Sequence, residues 1–193
     1  MGNLQNWQNE INANTQLFQG FSHEHLLRIW DEVIEPWVYP AKGLHDLSAP
    51  VAFEYLIIRA FELEGAEVSY PFMAQPFSDS RILEEIDGAI YLPGISAIVE
   101  SKCFDQRKVT SDQIGQLRNK LINRPSYGIG CFFARTSYKE SAYKQAQMAS
   151  PQCILLWDGE EIKEAFKNQK LVQVLKEKNR RFFEDLKPFK DTP

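Results

Sequence analysis

The chain has 193 residues, 44% of them hydrophobic and 25% charged, the make-up of an ordinary soluble globular protein with one sizeable core. A net charge of −4 excludes a global pull toward nucleic acid, so a polyanion would have to be held by a local basic patch or by metal ions. Three cysteines, Cys103, Cys131 and Cys153, are an odd number without a Cys-x-x-Cys pair. They read as buried thiols, which excludes a disulfide framework and points to a reducing cytoplasm. No basic and apolar leader opens the sequence, and no apolar run nears membrane-spanning length, so no membrane partner is expected.

Residues 1 to about 20 are rich in Asn and Gln and suggest a short helix or a loosely ordered arm. Ser22 can cap a helix through Leu26, Ile29, Trp30 and Val33 that ends at Pro36. His23-Glu24-His25 reads as the solvated start of that helix, because residues i and i+2 do not face each other. A connector from Trp37 to Asp46 separates this N-terminal extension from the main domain. Ser48, with Pro50 in the first turn, starts a helix to Glu64 that Gly65 stops. Its apolar face is Phe53, Leu56, Ile57, Ala60 and Phe61, with Glu54 at the margin. Ala66–Tyr70 is the first strand, and Pro76 to Ser80 mark a loop.

Two β-rich runs then meet at Pro93-Gly94, Ile86–Leu92 and Ile95–Lys102, and read as a hairpin. A loop of just Pro93-Gly94 sets Asp87 opposite Glu100. Pro-Gly prefers a type II turn, which fits two-residue hairpins poorly, so a longer loop or a bulge stays open. Side chains alternate along a strand, so Glu100 and Lys102 share a face. Two acids and a lysine therefore converge. Such acids repel unless a cation or proton lies between them, and oxygen-only ligands suit magnesium or manganese. Charged residues on a solvated hairpin face are the bland alternative. The apolar run Ile95, Ala97, Ile98, Val99 speaks against it, because it has the look of a central strand.

Beyond Lys102, Thr110 and Gln113 form a capping box for a helix with Ile114, Leu117 and Leu121 buried. Ile129–Ala134 reads as a buried parallel strand. Ser137 and Glu140 form a second capping box, for a helix to about Ala149. Cys153–Trp157 is a further strand, Glu160–Phe166 a short helix, and a charged amphipathic helix runs from Leu171 to about Leu186. Strands alternating with helices imply crossovers and a partly parallel sheet.

An acid, about twelve residues, then Glu-x-Lys resembles the signature of the PD-(D/E)XK nuclease superfamily, here Asp87, Glu100 and Lys102. The similarity is greatest to Mrr-like restriction endonucleases, over residues 48–168. It is carried by Phe53-Glu54-Tyr55-Leu56, Ile86-Asp87-Gly88, Val99-Glu100-Ser101-Lys102, the helix from Thr110, Thr136-Ser137 and Leu155-Leu156-Trp157-Asp158-Gly159. Many members of that branch have Gln where this chain has Glu100. The resemblance implies an α/β restriction-endonuclease-like core, a mixed central sheet (antiparallel hairpin plus parallel strands) flanked by helices. An N-terminal helical extension (1–47) would precede the core (48–168), and a C-terminal helix and tail (169–193) would follow it.

The implied activity is Mg2+-dependent hydrolysis of phosphodiester bonds in DNA, with Mn2+ able to substitute. Asp87, Glu100, the Ser101 carbonyl and Glu54 would hold the metal. Lys102 would orient or activate water, or stabilise the transition state. Gln113 has a competing catalytic role beside its capping one, with Gln116 as the fallback. Arg107, Lys108, Arg118, Lys120 and Arg124 are candidates for phosphate contacts. Cutting both strands would call for a homodimer. A repair or junction-processing nuclease, and a non-catalytic DNA-binding or assembly module, are the alternatives to a restriction enzyme.

Overall fold

The computed structural model describes residues 2–37, 47–74 and 84–189. At its centre lies β5 (Ile95–Lys102). It pairs antiparallel with β4 (Gly88–Leu92) on one side and parallel with β6 (Gly128–Ala134) on the other. β1 (Glu67–Ser69) extends the antiparallel side and β7 (Cys153–Trp157) the parallel side, giving a five-stranded mixed sheet in the order β1-β4-β5-β6-β7. The expected architecture is therefore present, with β1 one residue shorter at each end than the sequence suggested.

Leu92 pairs with Ile95, so the hairpin loop is Pro93-Gly94 alone. Gly94 has φ +80, the left-handed value a type II turn requires after proline, and the register is kept without a bulge. Gly88 pairs with Val99, which brings Asp87, one residue beyond the strand, into line with Glu100. A Cβ on Gly88 would stand 2.4 Å from Ile58 Cδ1 and 2.8 Å from the Ser69 carbonyl oxygen. Only glycine lets the helix over this strand come so close.

Strand alternation divides the core into two layers. One face carries Ile98, Phe132, Ala134, Ile154 and Leu156 against α4 (Ser111–Ile122) and α5 (Glu140–Gln147). The other carries Ala97, Val99, Cys131, Phe133, Leu155 and Trp157 against α3 (Ala49–Leu63) and α6 (Gly159–Lys167), with α7 (Leu171–Asp185) beside them. Tyr138 joins the two parallel strands: its hydroxyl donates to the Phe132 and Trp157 carbonyls at 2.8 and 2.9 Å. Glu64, at the end of α3, caps α7 by accepting from the Leu171 and Val172 N–H groups at 3.0 and 2.9 Å.

The N-terminal stretch forms α1 (Gly2–Gln19) and α2 (His23–Ile29), which runs on as a π-helical turn over Trp30–Ile34. Phe18, Leu26, Ile29, Trp30 and Ile34 are buried in the same cluster as Phe53, Leu56 and Phe61 of α3. His23 is half-buried against the Phe166 ring (centroids 4.8 Å apart) rather than freely solvated, and burial lowers its pKa. The Trp37–Asp46 connector lies outside the described residues beyond Trp37, and so does the Pro76–Ser80 loop.

Two local expectations are corrected and one holds in part: Ser48 is the N-cap of α3, acting through its carbonyl, while its hydroxyl makes no cap bond. Pro50 in the first turn removes one of the N–H groups that such a hydroxyl addresses. α5 starts at Glu140 with Lys139 as the cap residue, so Ser137 and Glu140 are not a capping box. The backbone there is extended instead, pairing Tyr138 with Val109, whose N–H donates to the Ser137 carbonyl at 2.9 Å. Finally β2 (Phe72–Ala74) and β3 (Glu84–Ile86) form an antiparallel ribbon that the sequence did not suggest. Among the described residues no helix is long and apolar enough to cross a membrane.

Arg135, just past β6, binds the N-terminal helices to the loop that follows β5. Its Nε donates to the Ile34 carbonyl (2.6 Å) and Nη2 to the Glu35 carbonyl (2.7 Å). Nη1 donates to the Phe104 and Asp105 carbonyls at 2.8 and 2.7 Å. Arg135→Ala should destabilise the protein by about 3 kcal/mol in urea unfolding, because several charged hydrogen bonds go at once. A loss under about 0.5 kcal/mol, the level of a surface substitution, would mean that water replaces the clamp.

Candidate active site

Asp87 sits where the chain bends between β3 and β4. One of its oxygens, Oδ2, accepts from the Ser101 N–H at 2.7 Å and the Ser101 hydroxyl at 3.1 Å. Those bonds pin the carboxylate across the hairpin. Asp87 and Glu100 are 9% and 4% exposed, too buried for charges on a solvated face. Glu100 and Lys102 do share a face, and Lys102 Nζ lies 2.6 Å from Glu100 Oε1. The second oxygen, Oε2, is held at 2.6 Å by Lys120 Nζ, which reaches in from α4.

Glu54 comes from the opposite layer. It lies one helical turn before Ile58, the residue packed on Gly88, so α3 aims it at the Asp87 end of β4. Burial raises its pKa to about 8, and Asp87 adds to the rise while Lys102 opposes it. Asp87 is pushed up to about 6, first by burial and then by the Glu100 charge, with Lys102 and the Ser101 N–H pulling the other way. Burial works against ionisation of Glu100 too, but Lys102 and Lys120 outweigh it and hold the pKa below the usual value. Lys102 is desolvated as well, yet Glu100 and Asp87 hold its pKa above normal, so it remains an ammonium.

The other residues singled out from sequence divide into two groups. Gln113 completes the capping box, its Oε1 accepting from the Thr110 N–H at 2.9 Å. Gln116 is exposed. What α4 contributes beside Glu100 is Lys120, two turns beyond Gln113. The sequence offered one signal for it: Lys120 follows buried Leu117 by three residues and so borders the stripe that meets the sheet. Arg124 pairs with Glu84 at 3.0 Å. Arg118 Nε is buried without a hydrogen-bond partner among the described residues. Arg107 and Lys108 are exposed on the loop after β5, and the Arg107 guanidinium stacks 4.4 Å over the Phe104 ring.

Among the described residues no three His, Cys, Asp or Glu side chains gather into a metal cage. A magnesium ion does not need one; it keeps several waters and takes one or two carboxylates together with substrate phosphate. Asp87 and Glu100 are such a pair, offering hard oxygen donors, and burial raises the pKa values of Asp87 and Glu54, a cost that a bound cation would offset. The residues fit a divalent cation. The cysteines offer no competing chemistry, since burial pushes Cys103 and Cys153 up to about 12 and keeps both as thiols.

Glu54 and Asp87 retain protons in the fold that the unfolded chain releases near pH 4 to 4.5. Between there and about pH 8 the folded state binds more protons, so stability falls as pH rises. Melting in EDTA should therefore drop from about pH 5 to about pH 8, and Glu54→Gln should remove most of the slope. An unchanged slope in that variant would show that Glu54 is not the group responsible.

A family model described as a restriction endonuclease (Mrr_cat) matches residues 45–166. No curated protein matches the chain. Among solved structures, the chain is similar to "Protein of Unknown Function AF1548", with 17% identity and a TM-score of 0.48, over 58% of this chain and 64% of that one. It is also similar to the MspJI restriction endonuclease in complex with a 27-mer oligonucleotide, with 18% identity and a TM-score of 0.41, over 78% of this chain and 31% of that one. The chain thus spans less than two thirds of either. The family match runs from just before α3 into α6 and takes in Glu54, Asp87, Glu100, Lys102 and Lys120; the chain belongs to this restriction endonuclease family.

Proposed function

We propose that this chain is a metal-dependent DNA endonuclease that hydrolyses phosphodiester bonds as a restriction enzyme of the Mrr-like kind. One observation carries the reading: two buried carboxylates, Asp87 and Glu100, stand at the same end of a hairpin with Lys102 against one of them, inside the stretch that matches the family. Asp87, Glu100, the Ser101 carbonyl and Glu54 are the residues that would hold Mg2+, or Mn2+ in its place. When bound, such a cation supplies Lewis acidity and lowers the pKa of water at the reacting phosphate.

The chain's own groups do the positioning. Ser101 fixes the Asp87 carboxylate through its N–H and hydroxyl, so that acid need not reorganise during the reaction. Lys102, an ammonium held by Glu100, is suited to orient the attacking water or to donate to the phosphate oxygens as negative charge develops there. Arg107 and Lys108, exposed just past the catalytic strand, suit contacts to the DNA backbone. One such site cuts one strand, so double-strand cleavage would engage a homodimer.

Plasmid and oligonucleotide substrates (methylated, unmethylated and branched) should be cut in Mg2+ or Mn2+ and spared in EDTA. Lys102→Ala and Asp87→Asn should each slow cleavage by a factor on the order of a hundred to a thousand or more, with melting curves that stay cooperative. Cleavage by Lys102→Ala at the wild-type rate would refute the site. A preference for branched DNA would move the enzyme from defence to junction processing.

A further inference from the structure

Both oxygens of the Glu100 carboxylate are taken, each by an ammonium at 2.6 Å. The two partners differ in how they are held. Lys102 lies two residues along the same strand, so its backbone keeps its place beside Glu100 whatever the other elements do, though its side chain is 29% exposed. Lys120 arrives from another element, at the end of a long flexible side chain that is 21% exposed, while the Glu100 side chain is 6% exposed. It can leave without any backbone motion. Arg124, one turn further on, is tied to Glu84, and Gln113 is engaged at the helix start. Lys120 is thus the α4 side chain set against a carboxylate that a divalent cation also needs.

An ammonium on a carboxylate oxygen neutralises the charge that a metal ion would draw on and repels the incoming cation, so the two compete. We propose that Lys120 is an exchangeable counter-ion: it occupies Glu100 Oε2 in the DNA-free protein and moves to a backbone phosphate when duplex binds, freeing that oxygen for the divalent cation. This inference rests on the nuclease reading above. It makes cation uptake depend on substrate, since the departing positive charge is replaced only once DNA has supplied an alternative anion.

Calorimetric titration of Mn2+ and Ca2+ into the full chain without DNA, and of Ca2+ again with a short duplex, tests it. Lys120→Met, which keeps the side-chain length and loses the charge, should bind Mn2+ on the order of tenfold tighter than wild type without DNA. Duplex supplies phosphate ligands to both proteins, and it should tighten Ca2+ binding to wild type more than to the variant, by a comparable factor. Lys120→Arg should bind as weakly as wild type, and Lys120→Gln serves if the Met variant does not fold. Equal cation affinity in a folded, uncharged variant and wild type overturns the exchange and leaves the nuclease reading standing. If neither takes up a cation with or without duplex, the metal-dependent nuclease reading itself fails and takes the exchange with it.

Discussion

The period of two along β5 is the constraint on which the molecule is arranged. Ala97, Val99 and Cys103 turn toward α3 and the helices beyond it, while Ile98 turns toward α4. Glu100 and Lys102 continue the Ile98 row at the point where the apolar rows give out. The charged pair is therefore carried on the central strand of the sheet. Its side chains inherit the rigidity of a strand paired on both sides, antiparallel to β4 and parallel to β6. A site that must hold like charges together gains from that rigidity, because repulsion cannot be relieved by moving the backbone.

The same arrangement explains why three acids behave so differently. Glu100 has two ammonium neighbours and stays ionised despite its burial. Asp87 has hydrogen-bond donors but, among the described residues, no ion-pair partner, and burial and the Glu100 charge push it upward. Glu54 comes from the far layer, and burial first, then the Asp87 charge, raises its pKa furthest. Burial raises all three acids, and what sets Glu100 apart is the pair of ammonium groups that outweighs it. A divalent ion placed among them would even out that difference.

Much of this was legible in the sequence. The Pro93-Gly94 turn fixed which residues face each other, and the alternation of Ile95–Lys102 fixed which side they share. The parallel strands β6 and β7 stood out as short apolar runs bounded by polar turns. Side-chain pairings were less visible. Gln113 fits both a cap and a catalytic pattern, and only its bond to the Thr110 N–H shows where its oxygen is engaged. Lys120 looked like one of several surface cations on a charged helix, because nothing local records how α4 is rotated against the sheet. Ser137 matched a capping pattern, but tertiary pairing of Val109 with Tyr138 keeps the backbone there extended. Phe72–Ala74 is too short and too close to Pro71 to declare itself as a strand without its partner Glu84–Ile86.

The Arg135 clamp has a consequence for how this protein tolerates change. Every acceptor it uses is a main-chain carbonyl, at Ile34, Glu35, Phe104 and Asp105. These four bonds between the amino-terminal helices and the loop after β5 are therefore blind to the side chains of the residues that accept them. Sequence at those four positions can drift without breaking them. Four of the bonds across this junction come from a single guanidinium, whose fan of donors no other side chain reproduces, and the Trp37 indole adds one more, to the Cys103 carbonyl at 3.0 Å.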